Sequence, residues 1–301
     1  MGAYIELKNI TKTFGSVVAN DGINFSIEKG EIHALLGENG SGKSTLVNML
    51  SGIYRPDSGS ILIDGKEVVF RSPKDAIDVG IGMVHQHFKL VDVMTARENI
   101  VMGHRDSFFV RKKKQTDAIY EIQQKYGLLI NPEKPVYQMS VSEKQTVEIL
   151  KVLYRGINIL ILDEPTAVLT PQEISNLFDI LRSMRDSGCS IVIITHKMQE
   201  VMDISDRITV LRKGQSIRTV NTKDVSAQDL TEMMVGHRIN LDIQRPQTDP
   251  ALIRPLLNVK NLNVKNVNGT PVLQDMNFEL MPVKFWAWPA LPAAARKNCV
   301  K

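Results

Sequence analysis

Cysteine is scarce in this chain. Cys189 and Cys299 are the only two among 301 residues. They lie far apart without metal-type spacing, which excludes a disulfide-stapled scaffold and suits a reducing compartment. Long apolar runs are also missing: stretches such as INILIL fall far short of the roughly 20 residues a membrane-spanning helix needs. The opening MGAYIELKNITK has no apolar signal core, so any membrane role is expected to come through a partner. Charge of one sign is weak, at a net +4. The basic cluster from Arg111 to Lys114 reads as a solvated loop or helix start, and no nucleic-acid partner is expected. Aromatics make up 6%, and both tryptophans, Trp286 and Trp288, sit near the C-terminal end. What is present is 43% hydrophobic residues, enough for a core in one large domain or two ordinary ones.

The stretch IEKGEIHALLGENGSGKSTLVNMLSG places an apolar strand, Ile32 to Leu36, before a glycine-rich turn and a helix starting near Lys43. Gly37-x-x-x-x-Gly42-Lys43-Ser44 is the spacing of a phosphate-binding loop. Small residues let successive backbone N–H groups curl around a phosphate chain, and the helix N-terminus adds its dipole. The nucleotide-binding candidates are therefore Gly37, Glu38, Asn39, Gly40, Ser41, Gly42, Lys43, Ser44 and Thr45. Lys43 is expected to reach the β- and γ-phosphates and Ser44 to ligate Mg²⁺. ATP and Mg²⁺ are the cofactors this implies.

A second apolar run, INILILDEPTAVLT, delivers Asp163 and Glu164 together at a strand end. Ligands bind at that edge of open α/β sheets. Asp163 suits a Mg²⁺ site, and Glu164 suits acceptance of a proton from attacking water. A third strand, CSIVIITHK, ends at His196, a candidate neighbour of the γ-phosphate.

Taken in order, these motifs resemble the ATP-binding subunit of ABC transporters across residues 4 to 282. KTFG is similar to the family's adenine-stacking loop, which assigns Phe14 to the base. GMVHQHFKL resembles the loop in which Gln86 contacts Mg²⁺ and the attacking water. MSVSEKQTVEILKVL stands where the family's signature is found, so Ser140, Val141, Ser142 and Glu143 are expected to act on a partner domain's nucleotide. The usual signature reads Leu-Ser-Gly-Gly-Gln, and only Ser140 is retained. Without both glycines, fast hydrolysis at the site it faces is not expected. Thr170 replaces the usual aspartate beyond TAVL. What the resemblance implies is an α/β fold: a P-loop NTPase core with a mostly parallel sheet flanked by helices, an antiparallel β subdomain and a helical subdomain.

TAVLTPQE and the relaxed signature resemble the subclass that powers uptake of simple sugars and nucleosides, whose ATPase carries two fused nucleotide-binding domains. That implies two membrane permease subunits, an extracytoplasmic binding protein, and a place on the cytoplasmic face of the membrane. Fusion predicts an internal repeat. After a first domain over 1–240 and a polar, proline-punctuated linker over 241–255, LLNVKNLNV echoes YIELKNITK and QDMNFELMP echoes NDGINFSIEK. Residues 256–282 thus read as the first strands of a second copy. With no sheet to join, they are expected to be disordered or prone to aggregate.

Copy one continues Gly30-Glu31-Ile32, whereas copy two continues Val283-Lys284-Phe285. Read from one base earlier, the codons of Phe285 to Pro289 give, whatever their choice, LG followed by L, M or V, then A. Permitted third bases extend this to GEILGVAGIAGSGQKELCE, which aligns without a gap to GEIHALLGENGSGKST. Residues 283–301 are therefore read as a frameshifted tail. The restored loop has Gln and Lys in the places of Lys43 and Ser44, a degenerate second site. The chain as given is expected to bind ATP and to hydrolyse it poorly unless it forms a homodimer. Two rivals remain: a soluble ABC-type ATPase acting on ribosome or DNA, and a remnant that only binds ATP.

Overall fold

The computed structural model describes residues 3–103, 112–236, 256–265, 269 and 271–280; Arg111, the expected linker 241–255 and the tail 283–301 lie outside them. The chain divides into two units, Met1–Ile239 and Asn240–Lys301. The first opens with β1 (Ile5–Phe14), β2 (Val17–Ile27), β3 (Ile32–Leu36), α1 (Lys43–Leu50), β4 (Ser58–Ile63) and β5 (Lys66–Val68). It continues through α2 (Pro73–Asp78), β6 (Ile81–Val84), α3 (Ala96–Val101), α4 (Lys112–Tyr126), α5 (Val141–Leu153), β7 (Ile159–Asp163) and α6 (Pro171–Asp186). It closes with β8 (Ser190–Thr195), α7 (Met198–Ile204), β9 (Arg207–Arg212), β10 (Gln215–Asn221) and α8 (Ala227–Val235).

These strands form two sheets. One is antiparallel, in the order β2-β1-β4-β5, and the other runs β10-β9-β3-β8-β7-β6. The second is parallel except for β10, which pairs antiparallel with β9. Its central strands are near-continuous apolar runs because both faces are covered. All five residues of β3 are buried. Alternation then divides the side chains between two cores. Ile159 and Ile161 of β7 pack with Leu46, Met49 and Leu50 of α1 and with Ile5, Leu7 and Phe25 of the antiparallel sheet. Leu160 and Leu162 pack on the opposite face, with Val147 and Leu150 of α5 and Leu177, Phe178 and Leu181 of α6. α1 is thus held between the two sheets, fixed on its apolar side, while its N-terminus carries the phosphate loop.

The second unit contains β11 (Leu257–Lys265) and β12 (Pro271–Leu280). These two strands, expected to have no sheet to join, pair with one another, antiparallel, which satisfies one edge of each. Their irregularities match those of β1 and β2. Register breaks follow Leu7 in β1 and Val259 in β11. Asn9 and Asn261 both adopt positive φ, at 50° and 51°. The Asn9 amide donates to Asn24 Oδ1 at 3.1 Å, and the Asn261 amide donates to Asn277 Oδ1 at 2.8 Å. Asn24 and Asn277 in turn donate to the carbonyls of Gly22 and Asp275.

Candidate functional site

At the C-terminal edge of the parallel sheet lies a cavity of about 500 Å³. Val17, Val18 and Ala19 of β2 line one side, and Asn39, Gly40, Gly42, Lys43, Ser44 and Thr45 form its floor. Gln86, beyond β6, Asp163 and Glu164, at the end of β7, and His196, at the end of β8, complete it. Topology explains the convergence: β3, β7 and β8 are neighbouring parallel strands, so their C-terminal ends open at one edge.

The loop from Gly37 to Gly42 leaves no room for larger residues at its two fixed glycines. A Cβ on Gly37 would stand 2.4 Å from the Leu211 carbonyl oxygen, and one on Gly42 would stand 2.4 Å from that of Ala19. Gly42 also has φ +99°, a left-handed conformation that glycine adopts without steric cost. Lys43 Nζ donates to the Gly37 and Glu38 carbonyls at 2.7 and 2.9 Å, so the lysine lies along the inside of the loop. Ser44 is exposed toward the cavity. The buried Ser41 hydroxyl has no hydrogen-bond partner.

Opposite this loop, Glu164 Oε1 lies 2.8 Å from His196 Nδ1. Glu164 Oε2 is buried and unpartnered, and the residue's backbone is left-handed at φ +49°. Burial pushes the Asp163 carboxyl up; the Glu164 charge adds to this and Lys43 opposes it. Burial also pulls the Lys43 ammonium down, against the acids Glu164, Asp163 and Glu38. Two crowded carboxylates beside one lysine are the electrostatics of a site that fits a divalent cation. Among the described residues no cluster of three or more His, Cys, Asp or Glu could hold a metal by itself. Ser44, Asp163 and Gln86 line this cavity together, and their oxygens could hold an ion such as Mg²⁺, which is bound by one or two carboxylates plus substrate phosphates. The unpartnered Ser41 hydroxyl and the cramped glycine cradle fit a phosphate chain.

Two sets of expected residues stand apart from this cavity. Phe14 does not line it: its ring meets Tyr54 edge-on at a centroid distance of 5.2 Å, with Lys12 5.6 Å above it. Ser140, Val141, Ser142 and Glu143 start α5 elsewhere on the unit. The Ser140 hydroxyl accepts from the Glu143 amide at 3.2 Å, and Glu143 Oε2 accepts from the Ser140 amide at 2.8 Å, a reciprocal capping pair. Lys134 Nζ donates to both Glu143 oxygens, at 2.7 and 2.9 Å, which holds that carboxyl below its usual range. Sequence reasoning missed Val17 and Val18, exposed apolar residues at the cavity wall, and Asn20, whose Nδ2 donates to the Gly42 carbonyl at 3.2 Å.

Residues 20–167 match the ABC transporter family model. The chain contains an ABC transporter ATP-binding domain. The chain is 44% identical over 278 residues to the nucleoside import ATP-binding protein NupA of Lactococcus lactis subsp. cremoris, covering 92% of this chain and 54% of that one. It is 42% identical over 304 residues to the glucose import ATP-binding protein TsgD13 of Haloferax volcanii, covering 91% and 55%. Its fold matches that of CbiO1 from Clostridium perfringens, part of the ABC transporter complex CbiONQ, with a TM-score of 0.68 and 29% identity over 78% of this chain and 95% of that one. The chain spans about half the length of the import proteins it resembles. As in any ATP-binding cassette, nucleotide binding is the property that comes with the domain, and no helix among the described residues is long and apolar enough to cross a membrane.

Proposed function

We propose that this protein is the ATP-hydrolysing subunit that energises an ABC importer of simple sugars or nucleosides. The observation that carries the reading is the convergence of Lys43, Ser44, Gln86, Asp163, Glu164 and His196 on one cavity. The backbone amides of residues 37–45 cradle the phosphates, and Lys43 exchanges the Gly37 and Glu38 carbonyls for phosphate oxygens. Ser44 and Asp163, with Gln86, would hold Mg²⁺. When bound, that ion neutralises charge developing on the transferred phosphoryl group. Glu164 accepts the proton of the attacking water through its unpartnered Oε2, while His196 fixes the other oxygen and faces the γ-phosphate. The valine wall, Val17 and Val18, serves the base, and the start of α5 serves the nucleotide of a second domain, in cis or in a homodimer.

We infer further that the second unit opens another copy of the same domain. The matched bulges, left-handed asparagines and side-chain bonds of β11–β12 and β1–β2 support this reading. Resequencing across the Pro282 codon tests the frameshift proposed for residues 283–301; an intact frame encoding them refutes it. Import places the subunit at the cytoplasmic face of the membrane, against two permeases fed by an extracytoplasmic binding protein. Relatives named for nucleoside and for glucose import are of similar identity, 44% and 42%. Uptake of labelled nucleoside against labelled glucose in cells lacking this gene therefore decides the solute.

Phosphate release tests the enzymatic reading. Glu164→Gln is expected to keep nucleotide affinity and to lose turnover by about 10²-fold or more, as loss of a general base does. Lys43→Ala is expected to weaken ATP binding by at least about tenfold, the scale of a charge-assisted phosphate contact. Unchanged turnover in Glu164→Gln removes the base assignment.

A further inference from the structure

The proposed chemistry requires Glu164 and His196, which leave the ends of two different strands, to stay 2.8 Å apart. Glu164 does so from a left-handed backbone, φ +49°. Such a conformation is strained for an ordinary residue and persists only where the surroundings enforce it. Part of the enforcement is local, since the Glu164 amide donates to the Ile194 carbonyl at 2.9 Å. The remainder comes from beyond the cavity.

Thr166, two residues after Glu164, is 1% exposed. Its hydroxyl donates to Glu200 Oε2 at 2.5 Å. Lys197 Nζ donates to the Thr166 carbonyl at 3.1 Å, to the Thr166 hydroxyl at 3.1 Å and to Glu200 Oε1 at 2.9 Å. An ammonium has three protons, and all three are used. From the other side, Gln145 Nε2 on α5 donates to the Pro165 carbonyl at 2.9 Å. Lys197 directly follows His196, so this cluster joins the loop after β7 to the loop after β8 at both partners of the pair.

Helix stability does not account for a lysine here. Lys197 is the N-cap of α7 and makes no side-chain capping bond. A cation at a helix N-terminus opposes the dipole, and Lys before Glu is the weaker order for a helical ion pair. Its bonds to Thr166 are what the position provides.

We propose that Lys197, with Glu200 and Thr166, is a positioning residue that locks the Glu164 loop onto His196. It does not line the cavity. The inference rests on the hydrolysis reading above for its consequence in turnover, but not for its structural content.

The test uses the whole chain carrying Lys197→Met, Glu200→Gln or both, without nucleotide, followed by amide hydrogen exchange. Exchange at Glu164, Ala167 and Leu169 is expected to rise about tenfold or more in each single variant, with β3 and α1 unchanged. The double variant is expected to add little to either single one, because the residues act as one unit. Turnover is expected to fall about tenfold with nucleotide affinity within a factor of two. Unchanged exchange at residues 163–169 overturns the proposal, as does a rise shared by every segment, which would mark general destabilisation. Local loosening with wild-type turnover also overturns it. If the unmodified chain releases no phosphate even at concentrations where it is dimeric, the hydrolysis reading fails while the exchange pattern still decides the lock.

Discussion

At the scale of single residues, the phosphate loop depends on positions that accept nothing else. Gly42→Ala would bring a Cβ to 2.4 Å from the Ala19 carbonyl oxygen at φ +99°. The loop must shift to relieve that overlap, carrying Lys43 and Ser44 with it. We expect ATP affinity to fall at least about tenfold and stability to drop by more than about 1 kcal/mol, measured by nucleotide titration and denaturant unfolding. Gly37, Gly42, Lys43 and Ser44 were legible in sequence because a phosphate cradle needs those residue types at adjacent positions. Asp163, Glu164 and His196 were legible because apolar strands deliver them to one edge. Thr166, Lys197 and Glu200 were not, since the bonds that define them cross 31 and 34 positions. Phe14 shows the same limit. Its residue type and spacing point to a base, but Tyr54, 40 positions away in the chain, decides where the ring lies.

Among the elements, α5 carries the clearest consequence of an altered motif. Val141 and Ser142 stand where the related signature has glycines and Glu143 where it has glutamine, and Glu143 forms a capping pair with the retained Ser140, tied down by Lys134. The start of α5 is therefore stiffened, with its hydroxyl and one carboxylate oxygen turned inward to the helix's own amides. Ser140→Ala is expected to cost about 1 kcal/mol of stability, the usual worth of such a cap, read as a lower denaturant midpoint at unchanged slope. The sequence made this helix and its start readable through the Ser-x-x-Glu spacing; its bond to Lys134, in a preceding loop, was beyond that pattern. The pairing of β11 with β12 was likewise missed, because a strand's partner is a tertiary choice that periodicity does not encode.

For the molecule as a whole, the first unit's larger sheet holds a buried polar cluster that should govern its response to acid. His33 on β3 lies 3.0 Å from Glu31 Oε1 and 2.8 Å from Thr209 Oγ1, and Arg207 reaches Glu31. Burial holds the His33 imidazole below its ordinary value, although Glu31 pulls the other way. Below about pH 6.5 the unfolded chain takes up a proton that the folded one refuses. Stability from this group is therefore complete above that pH and declines as pH falls from there toward the folded value. Unfolding midpoints should be level above pH 7 and fall toward pH 5, by up to about 1.4 kcal/mol per unit; His33→Gln should flatten that slope. The strand order that gathers the site at one edge also has a cost in time. β3 lies between β8 and β9, and the Gly30–Ser190 hydrogen bond beside it spans 160 positions. At about 5–20 residues added per second, the phosphate loop leaves the ribosome roughly 10–30 seconds before the strands that will hold it. For that interval the apolar run Ile32–Leu36 has no partner on either side, and protection of the nascent chain becomes a condition for making the site at all.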